Sequence, residues 1–165
     1  MENFKYNGVI DYTLLEPTVT DEQIIELCEK AKRLGVKSVC VLPSKVAIAS
    51  KELEDSRILV CTVISFPEGT NTLDQKVKET YSVLKWGADE VDMVMNYQML
   101  IESQEEDIRD FLVEEINELV KICHSVRNKE GEPVILKVIV ESGALTEEQT
   151  KIATEICHEA KADFI

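Results

Sequence analysis

Two charged side chains interrupt apolar segments of the sequence, and they are the residues whose types could do chemistry. Asp92 lies within Glu90–Asn96 and Lys137 within Val134–Val140, and both segments have the apolar composition of buried strands. A buried unpaired charge costs several kcal/mol, so on adjacent parallel strands these side chains should face one interior and pair or contact water there. Such polar clusters perturb protonation and can relay protons. The alternative is a salt bridge that only fixes the register of two strands.

The segments that carry these residues belong to a regular alternation of strands and helices. Three capping boxes, Thr20–Gln23, Thr72–Gln75 and Thr146–Gln149, mark helix starts, and Pro43 with Ser44 marks another. The sequence predicts helices over residues 21–34, from Thr72 to Gly87, from about Glu105 to Val126, and after Thr146. It predicts strands over residues 37–43, 58–64, 90–96 and 134–140, with a further strand beginning at 162. Apolar strands separated by helices pair in parallel, so the predicted fold class is α/β.

The composition is that of one packed domain over residues 1–165. The chain is 44% hydrophobic and 30% charged, which is too apolar for a disordered protein. Its net charge of -14 repels nucleic acids and anionic membranes, although local amides and lysines could still bind a sugar phosphate. No segment reads as a membrane span or a signal peptide, so we expect a cytoplasmic protein with no membrane or nucleic acid partner.

The cysteines and histidines do not indicate a metal site. Five cysteines, an odd number without a C-x-x-C pair, favour reduced thiols. Cys123-His124 and Cys157-His158 contain both histidines, but adjacent residues on a helix point about 100° apart and cannot close a site alone. We therefore predict that no metal is bound.

Five runs of residues occur in a fixed order along nearly the whole chain. They are Asp11-Tyr12-Thr13-Leu14-Leu15, Val39-Cys40-Val41-Leu42-Pro43, Val63-Ile64-Ser65-Phe66-Pro67-Glu68-Gly69, Gly87-Ala88-Asp89-Glu90-Val91-Asp92-Met93-Val94 and Leu136-Lys137-Val138-Ile139-Val140-Glu141-Ser142-Gly143. Each run alone is a weak signal, but together they resemble the deoxyribose-phosphate aldolase family. The resemblance implies a (βα)8 barrel, of the TIM-barrel class, and an aldehyde-lyase of deoxyribonucleotide catabolism.

The resemblance also implies a reaction and a set of site residues. The family reversibly cleaves 2-deoxy-D-ribose 5-phosphate to acetaldehyde and glyceraldehyde 3-phosphate through a lysine Schiff base, with neither metal nor other cofactor. Asp92 matches its acid/base aspartate and Lys137 an active-site lysine beside it. Asp11 and Cys40 match positions that line the substrate pocket, although Cys40 is equally well explained as a small buried strand residue. A homo-oligomer is expected.

The resemblance places the Schiff-base lysine directly after Ala162–Ile165. On this basis we expect the sequence to hold the first five to six βα units and to stop one residue before that lysine. We then expect the chain by itself to be inactive and to self-associate through open sheet edges. The alternative is a non-catalytic partial barrel that serves as an interaction or assembly module, and a phosphate-binding barrel of another family is a third, more distant possibility.

Three positions depart from the family pattern. Tyr12 stands where the family usually has histidine, which leaves its contact with the pocket open. Ser65 and Lys161 stand where glycine is usual. We expect these two changes to alter only the local backbone preference.

Overall fold

The computed structural model describes residues 6–103 and 106–165, which form five β-strands and six α-helices. The strands are β1 (Asp11–Leu14), β2 (Ser38–Val41), β3 (Leu59–Ile64), β4 (Glu90–Val94) and β5 (Ile135–Ile139). The helices are α1 (Asp21–Leu34), α2 (Val46–Glu52), α3 (Leu73–Lys85), α4 (Tyr97–Glu102), α5 (Glu106–His124) and α6 (Glu147–Glu159). Short 3-10 helices cover Tyr6–Val9, Pro43–Lys45 and Ser142–Ala144.

The five strands form one parallel sheet in the order in which they occur along the chain. Every connection between successive strands contains a helix, as parallel pairing requires. Since such crossovers are right-handed, strands that are always added on the same side place their helices on one face of the sheet. A doubly wound sheet would instead reverse its strand order. The topology is that of a βα barrel, and the predicted α/β class is confirmed.

The two faces of the sheet have different surroundings. Side chains such as Val91 and Leu136 point outward into a large hydrophobic core that they share with the helices. The alternate residues point to the other face, where Cys40, Cys61 and Val63 form a smaller separate cluster. Because side chains alternate along each strand, the polar residues next to this second cluster face the concave interior.

The sheet is strongly curled. In a flat sheet, four strand spacings of about 4.8 Å would separate β1 from β5 by about 19 Å. Here Lys137 on β5 places its Nζ 2.7 Å from Oδ2 of Asp11 on β1. A lysine side chain cannot span the flat-sheet distance, so the strands must bend toward each other as they do in a barrel.

The predicted helix starts are confirmed in detail. In each capping box the threonine side chain accepts from the N–H of the glutamine three residues later, and that glutamine side chain accepts from the threonine N–H. Helix α1 covers the predicted residues and ends before Gly35, whose φ of 66° is in the left-handed region. None of the helices in the described residues is long and apolar enough to cross a membrane.

One helix was not predicted. Helix α4 precedes α5, which fills most of the helix predicted from about Glu105 to Val126; Glu105 itself lies outside the described residues. Helix α4 has six residues, of which Leu100 alone is buried, and Asn96 makes no side-chain capping bond. A helix of this length, without a capping residue, is too short to show the helical spacing of apolar residues from which a helix is predicted.

The strand predicted to begin at residue 162 is only an isolated bridge. Phe164 pairs in parallel with Lys137 of β5. Two hydrogen bonds hold the segment there, from Val138 N–H to Phe164 O and from Asp163 N–H to Leu136 O. Two bonds do not make a continuous ladder, although they place Phe164 and Ile165 beside the barrel interior.

Candidate active site

The ammonium group of Lys137 lies among three carboxylates on the concave face of the sheet. Its Nζ is 2.7 Å from Asp11 Oδ2, 3.0 Å from Asp92 Oδ1 and 3.1 Å from Glu90 Oε2. It also donates a hydrogen bond to Cys61 Sγ at 3.4 Å. The contact with Asp11 is a hydrogen bond, whereas the buried Asp92 Oδ1 accepts none and meets the Lys137 ammonium as an ion pair.

Strand register brings these side chains together. Asp92 on β4 is paired directly with Lys137 on β5. Glu90 comes two residues before Asp92 and therefore points to the same face. Asp11 opens β1, where its Oδ1 accepts a hydrogen bond from Ser38 Oγ at 2.6 Å. The sequence-based prediction that Asp92 and Lys137 face one interior is confirmed.

The carboxylates keep Lys137 positively charged. Burial acts to lower the pKa of Lys137, but its interactions with Cys61 and with the carboxylates of Asp92 and Glu90, together with the hydrogen bond to Asp11, outweigh burial, so this pKa lies well above its ordinary value. The thiol of Cys61 has a raised pKa itself, through its hydrogen bond with Cys40 and its burial. That thiol is neutral at neutral pH, so the carboxylates are the charges that hold the lysine proton.

The pKa values of the two acids on β4 are raised, whereas pairing with a cation ordinarily lowers the pKa of a carboxyl group. Burial raises the pKa of Asp92, and the nearby charge of Lys137 only partly opposes it. The pKa of Glu90 is raised for the same reason. An acid whose pKa moves toward neutrality can both give and accept a proton at working pH, as general acid–base chemistry requires.

A cavity of about 480 Å³ opens beside the cluster. Asp11, Asp92 and Lys137 form one wall, and the other walls are Val138–Ser142, Phe164 and Ile165. Residues 140–142 follow the carboxyl end of β5, which is the end at which βα barrels place their active sites. The volume suits a small-molecule ligand.

Cys40 lies on the inner face but not in the wall of this cavity. It is buried against Cys61 and Val63. The Cys40 and Cys61 sulfurs and an Asp92 oxygen lie within 4.8 Å of one another, as do ligand atoms of Asp11, Cys61 and Glu90. Such sets could hold a divalent ion, but the Lys137 ammonium already supplies positive charge among them. Our expectation of no metal stays a prediction.

Two members of the cluster were missed by sequence reasoning. Glu90 could have been found, because it shares a strand face with Asp92 under the two-residue repeat. Cys61 could not, because its place depends on the pairing of β3 with both β2 and β4. Tyr12, whose contact was left open, points outward and lines a groove with residues of α1, so it does not contact the cluster.

The cysteines outside the cluster are buried thiols, and His124 pairs with a carboxyl group that is not part of the cavity wall. All five cysteines are free and buried. Burial raises the pKa of Cys123 and of Cys157 to about 12, which makes these thiols poor nucleophiles. His124 pairs with Asp163, with Nε2 2.9 Å from Oδ2.

Comparison with known proteins identifies relatives along nearly the whole chain. The chain is 41% identical over 161 residues to the deoxyribose-phosphate aldolase of Ureaplasma parvum, which covers 98% of the chain and 69% of that protein. It is 41% identical over 157 residues to the deoxyribose-phosphate aldolase of Caldanaerobacter subterraneus, covering 95% of the chain and 64% of that protein.

Solved structures of aldolases also resemble this chain over nearly its whole length. The aldolase QR15 superposes with a TM-score of 0.83 at 37% identity, over 96% of this chain and 66% of QR15. The deoxyribose phosphate aldolase of Aeropyrum pernix, described as a tetramer, gives a TM-score of 0.81 at 27% identity, over 96% of this chain and 62% of its own. The chain thus spans about two thirds of the length of its relatives. Residues 7–165 match the family described as DeoC/LacD family aldolase, and the chain belongs to that family.

Proposed function

We propose that this sequence provides the acid–base half of a deoxyribose-phosphate aldolase site. The reaction is the reversible cleavage of 2-deoxy-D-ribose 5-phosphate to acetaldehyde and glyceraldehyde 3-phosphate. The observation that carries the proposal is the ion pair between a partly buried Asp92, whose pKa is raised, and Lys137 on one wall of a barrel cavity. The names of the relatives support the choice of substrate.

Asp92 has the role of proton relay. Formation of an imine expels the carbonyl oxygen as water, and cleavage of the carbon–carbon bond leaves an enamine that must be protonated. Each of these two steps needs an acid or base group within hydrogen-bonding reach of the reacting carbon or its oxygen. The partly buried carboxyl of Asp92 can supply and recover that proton because its pKa is raised.

Lys137 has an electrostatic role rather than a nucleophilic one. An amine attacks a carbonyl through its unprotonated lone pair, and nucleophilic lysines therefore need a lowered pKa. The pKa of Lys137 is raised, so this residue stays an ammonium ion. It stabilises the Asp92 carboxylate and can bind oxygen atoms of the substrate.

The imine lysine of the proposed reaction is the one that the resemblance places directly after Ile165. Phe164 and Ile165 line the same cavity as Asp92 and Lys137. A lysine at the next position would therefore lie close to the cavity that the proton relay lines. Proximity of this kind lets the two groups act on one bound substrate. We propose no metal or other cofactor.

An assembly module is the second candidate. Phe164 and Ile165 expose 57% and 59% of their surface, and Val9 beside β1 exposes 66%. Exposed apolar residues along two open sheet edges favour association with further strands, from a second copy or from another segment. A homo-oligomer is therefore part of the proposal. Light scattering of the 165-residue chain tests it: a concentration-independent monomer would contradict association.

The aldolase proposal is tested with a chimera of family length. In this chimera residues 1–165 are followed by the part of the Ureaplasma parvum aldolase that lies beyond the matched segment. We expect it to release acetaldehyde from 2-deoxyribose 5-phosphate, and borohydride to trap a substrate adduct on a lysine other than Lys137. A folded chimera without turnover would refute the proposal, and an adduct on Lys137 would refute the assigned roles.

A further inference from the structure

A second lysine is buried completely, outside the cluster described above. Lys76 of α3 exposes 0% of its side chain and Glu115 of α5 exposes 1%. Lys76 Nζ is 2.8 Å from Glu115 Oε2 and donates a second hydrogen bond to the Val94 carbonyl at 3.1 Å. Burial lowers the pKa of Lys76 and raises the pKa of Glu115, which shows that both charges lose hydration.

This ion pair is hard to explain as a device for stability. The desolvation of two buried charges can exceed their attraction, and apolar replacements of similar volume are often at least as stable. A fully buried lysine between two helices therefore suggests a task that an apolar side chain could not perform. The bond to Val94 identifies that task.

Lys76 satisfies a carbonyl that the sheet leaves without a partner. The last pair between β3 and β4 joins Ile64 to Met93, so β3 has ended where Val94 follows. In the peptide group between Val94 and Met95, the two polar atoms point in opposite directions. The Met95 N–H bonds to Ile139 O on β5, and the Val94 oxygen points toward the side that β3 has vacated. A buried carbonyl needs a donor, and Lys76 is that donor.

Side chains of helix α3 form hydrogen bonds with the backbone at the ends of both β3 and β4. Glu79, one turn after Lys76, accepts a hydrogen bond from Ser65 N–H at 2.8 Å, immediately after β3. Between the two strand ends lies Gly69, where a Cβ would come within 2.2 Å of the Met95 oxygen. The loop after β3 is thus packed directly against the end of β4.

The end of β4 is also the part of the sheet that presents Asp92. Asp92 precedes Val94 by two residues and points into the concave face. Asp92 Oδ1 is buried without a hydrogen bond, and it lies 3.0 Å from Lys137 Nζ across the pairing of β4 with β5. A shift of the Val94 peptide would change that distance directly.

We infer that Lys76 is a positioning residue for Asp92: its ammonium, held by Glu115, binds the Val94 carbonyl and fixes the end of β4. The catalytic consequence rests on the proposed function, whereas the structural consequence does not. Lys76 contacts neither the cavity nor the cluster, so it acts only through the strand.

Two variants separate positioning from packing. Lys76→Met/Glu115→Met removes both charges and keeps similar volume, so it should fold with a stability near that of the parent. Lys78→Met removes an exposed lysine of the same helix, leaves Lys76 and Glu115 in place, and serves as the matched control. The readout is the titration of the Asp92 carboxyl by carbon-13 NMR, in the 165-residue chain and in the chimera.

We expect the double variant to raise the Asp92 titration midpoint by about half a pKa unit or more, because a displaced carboxyl loses charge stabilisation by Lys137. Lys78→Met should leave that midpoint unchanged. In the chimera the double variant should lower kcat about tenfold with KM within about twofold of the parent.

Three results would overturn the inference. They are an unchanged Asp92 midpoint in the double variant, an equal shift in Lys78→Met, and a failure of the double variant to fold. If the parent chimera has no aldolase activity, the proposed function fails, but the NMR comparison still decides the role of Lys76.

Discussion

At the scale of single residues, the site depends on a charge imbalance around one lysine. Three carboxylates surround the single ammonium of Lys137, so the cluster would be net negative if all of them were ionised. The side chains of Glu90 and Asp92 are 4% and 16% exposed, which limits hydration of their charges. Burial therefore raises the pKa values of both acids, and the surrounding carboxylates raise the pKa of Lys137.

Removal of the central charge should destabilise the fold. Lys137→Met leaves the buried carboxylates without a counterion, and we expect a loss of about 3 kcal/mol in the free energy of unfolding at neutral pH. The loss should shrink in mild acid, where the carboxyls become protonated. Urea denaturation at two pH values measures both effects.

The matched control is Lys37→Met. Lys37 pairs with Glu130 at 3.4 Å, but both side chains are about 40% exposed. Exposed pairs of this kind contribute about 0–1 kcal/mol. If Lys137→Met costs no more than this control, the cluster is hydrated and its proposed electrostatics are wrong.

At the scale of secondary structure elements, much of the molecule could be predicted because its signals are local. The three threonine–glutamine capping boxes are confirmed because each depends on residues three apart. Asp92 and Lys137 were recognised because a charge inside an apolar strand is conspicuous. The contact of Asp11 with Lys137 could not be predicted, because it depends on the curvature of the whole sheet. The burial of Lys76 and its bond to Val94 could not be predicted either, because the sequence does not distinguish this lysine from the others on helices.

The two positions at which the resemblance led us to expect glycine have left-handed backbone. Ser65 has a φ of 52° and Lys161 a φ of 63°. A side chain in this region costs about 1–2 kcal/mol, which glycine avoids. The expectation that these residues change the local backbone preference therefore has a physical basis in the observed angles.

Lys161→Gly should stabilise the chain. We expect a gain of about 0.5–1 kcal/mol, because relief of the unfavourable φ exceeds the added entropy of the unfolded glycine. Lys161→Ala, which removes the charge but keeps the Cβ, should give no comparable gain. Thermal unfolding of the three proteins measures the difference, and equal effects of the two substitutions would show that the backbone angle is not the cause.

At the scale of the whole molecule, stability should fall as pH rises above about 4.5. Burial raises the pKa values of Asp92, Glu90 and Glu115 above their ordinary values of 3.8, 4.5 and 4.5. Between the ordinary and the raised values the folded chain binds more protons than the unfolded chain, so each added pH unit favours unfolding. The net charge of -14 adds repulsion in the same direction.

Urea midpoints between about pH 4.5 and pH 8 measure this dependence. Lys137 does not contribute over that range, because its raised pKa keeps it protonated in both states. Glu115→Gln should flatten the dependence, since it removes one of the three titrating acids. A midpoint that rises steadily with pH would show that the buried acids do not have raised pKa values.

The central claim is that Asp92 moves the protons of an aldolase reaction, and one substitution tests it most directly. In the family-length chimera, Asp92→Asn keeps the shape of the side chain but removes its ionisable group. We expect kcat for 2-deoxyribose 5-phosphate cleavage to fall by about 100-fold or more while the protein stays folded. The control Asp74→Asn, at an exposed position on α3, should retain full activity. Activity of Asp92→Asn within a few-fold of the parent would contradict the account.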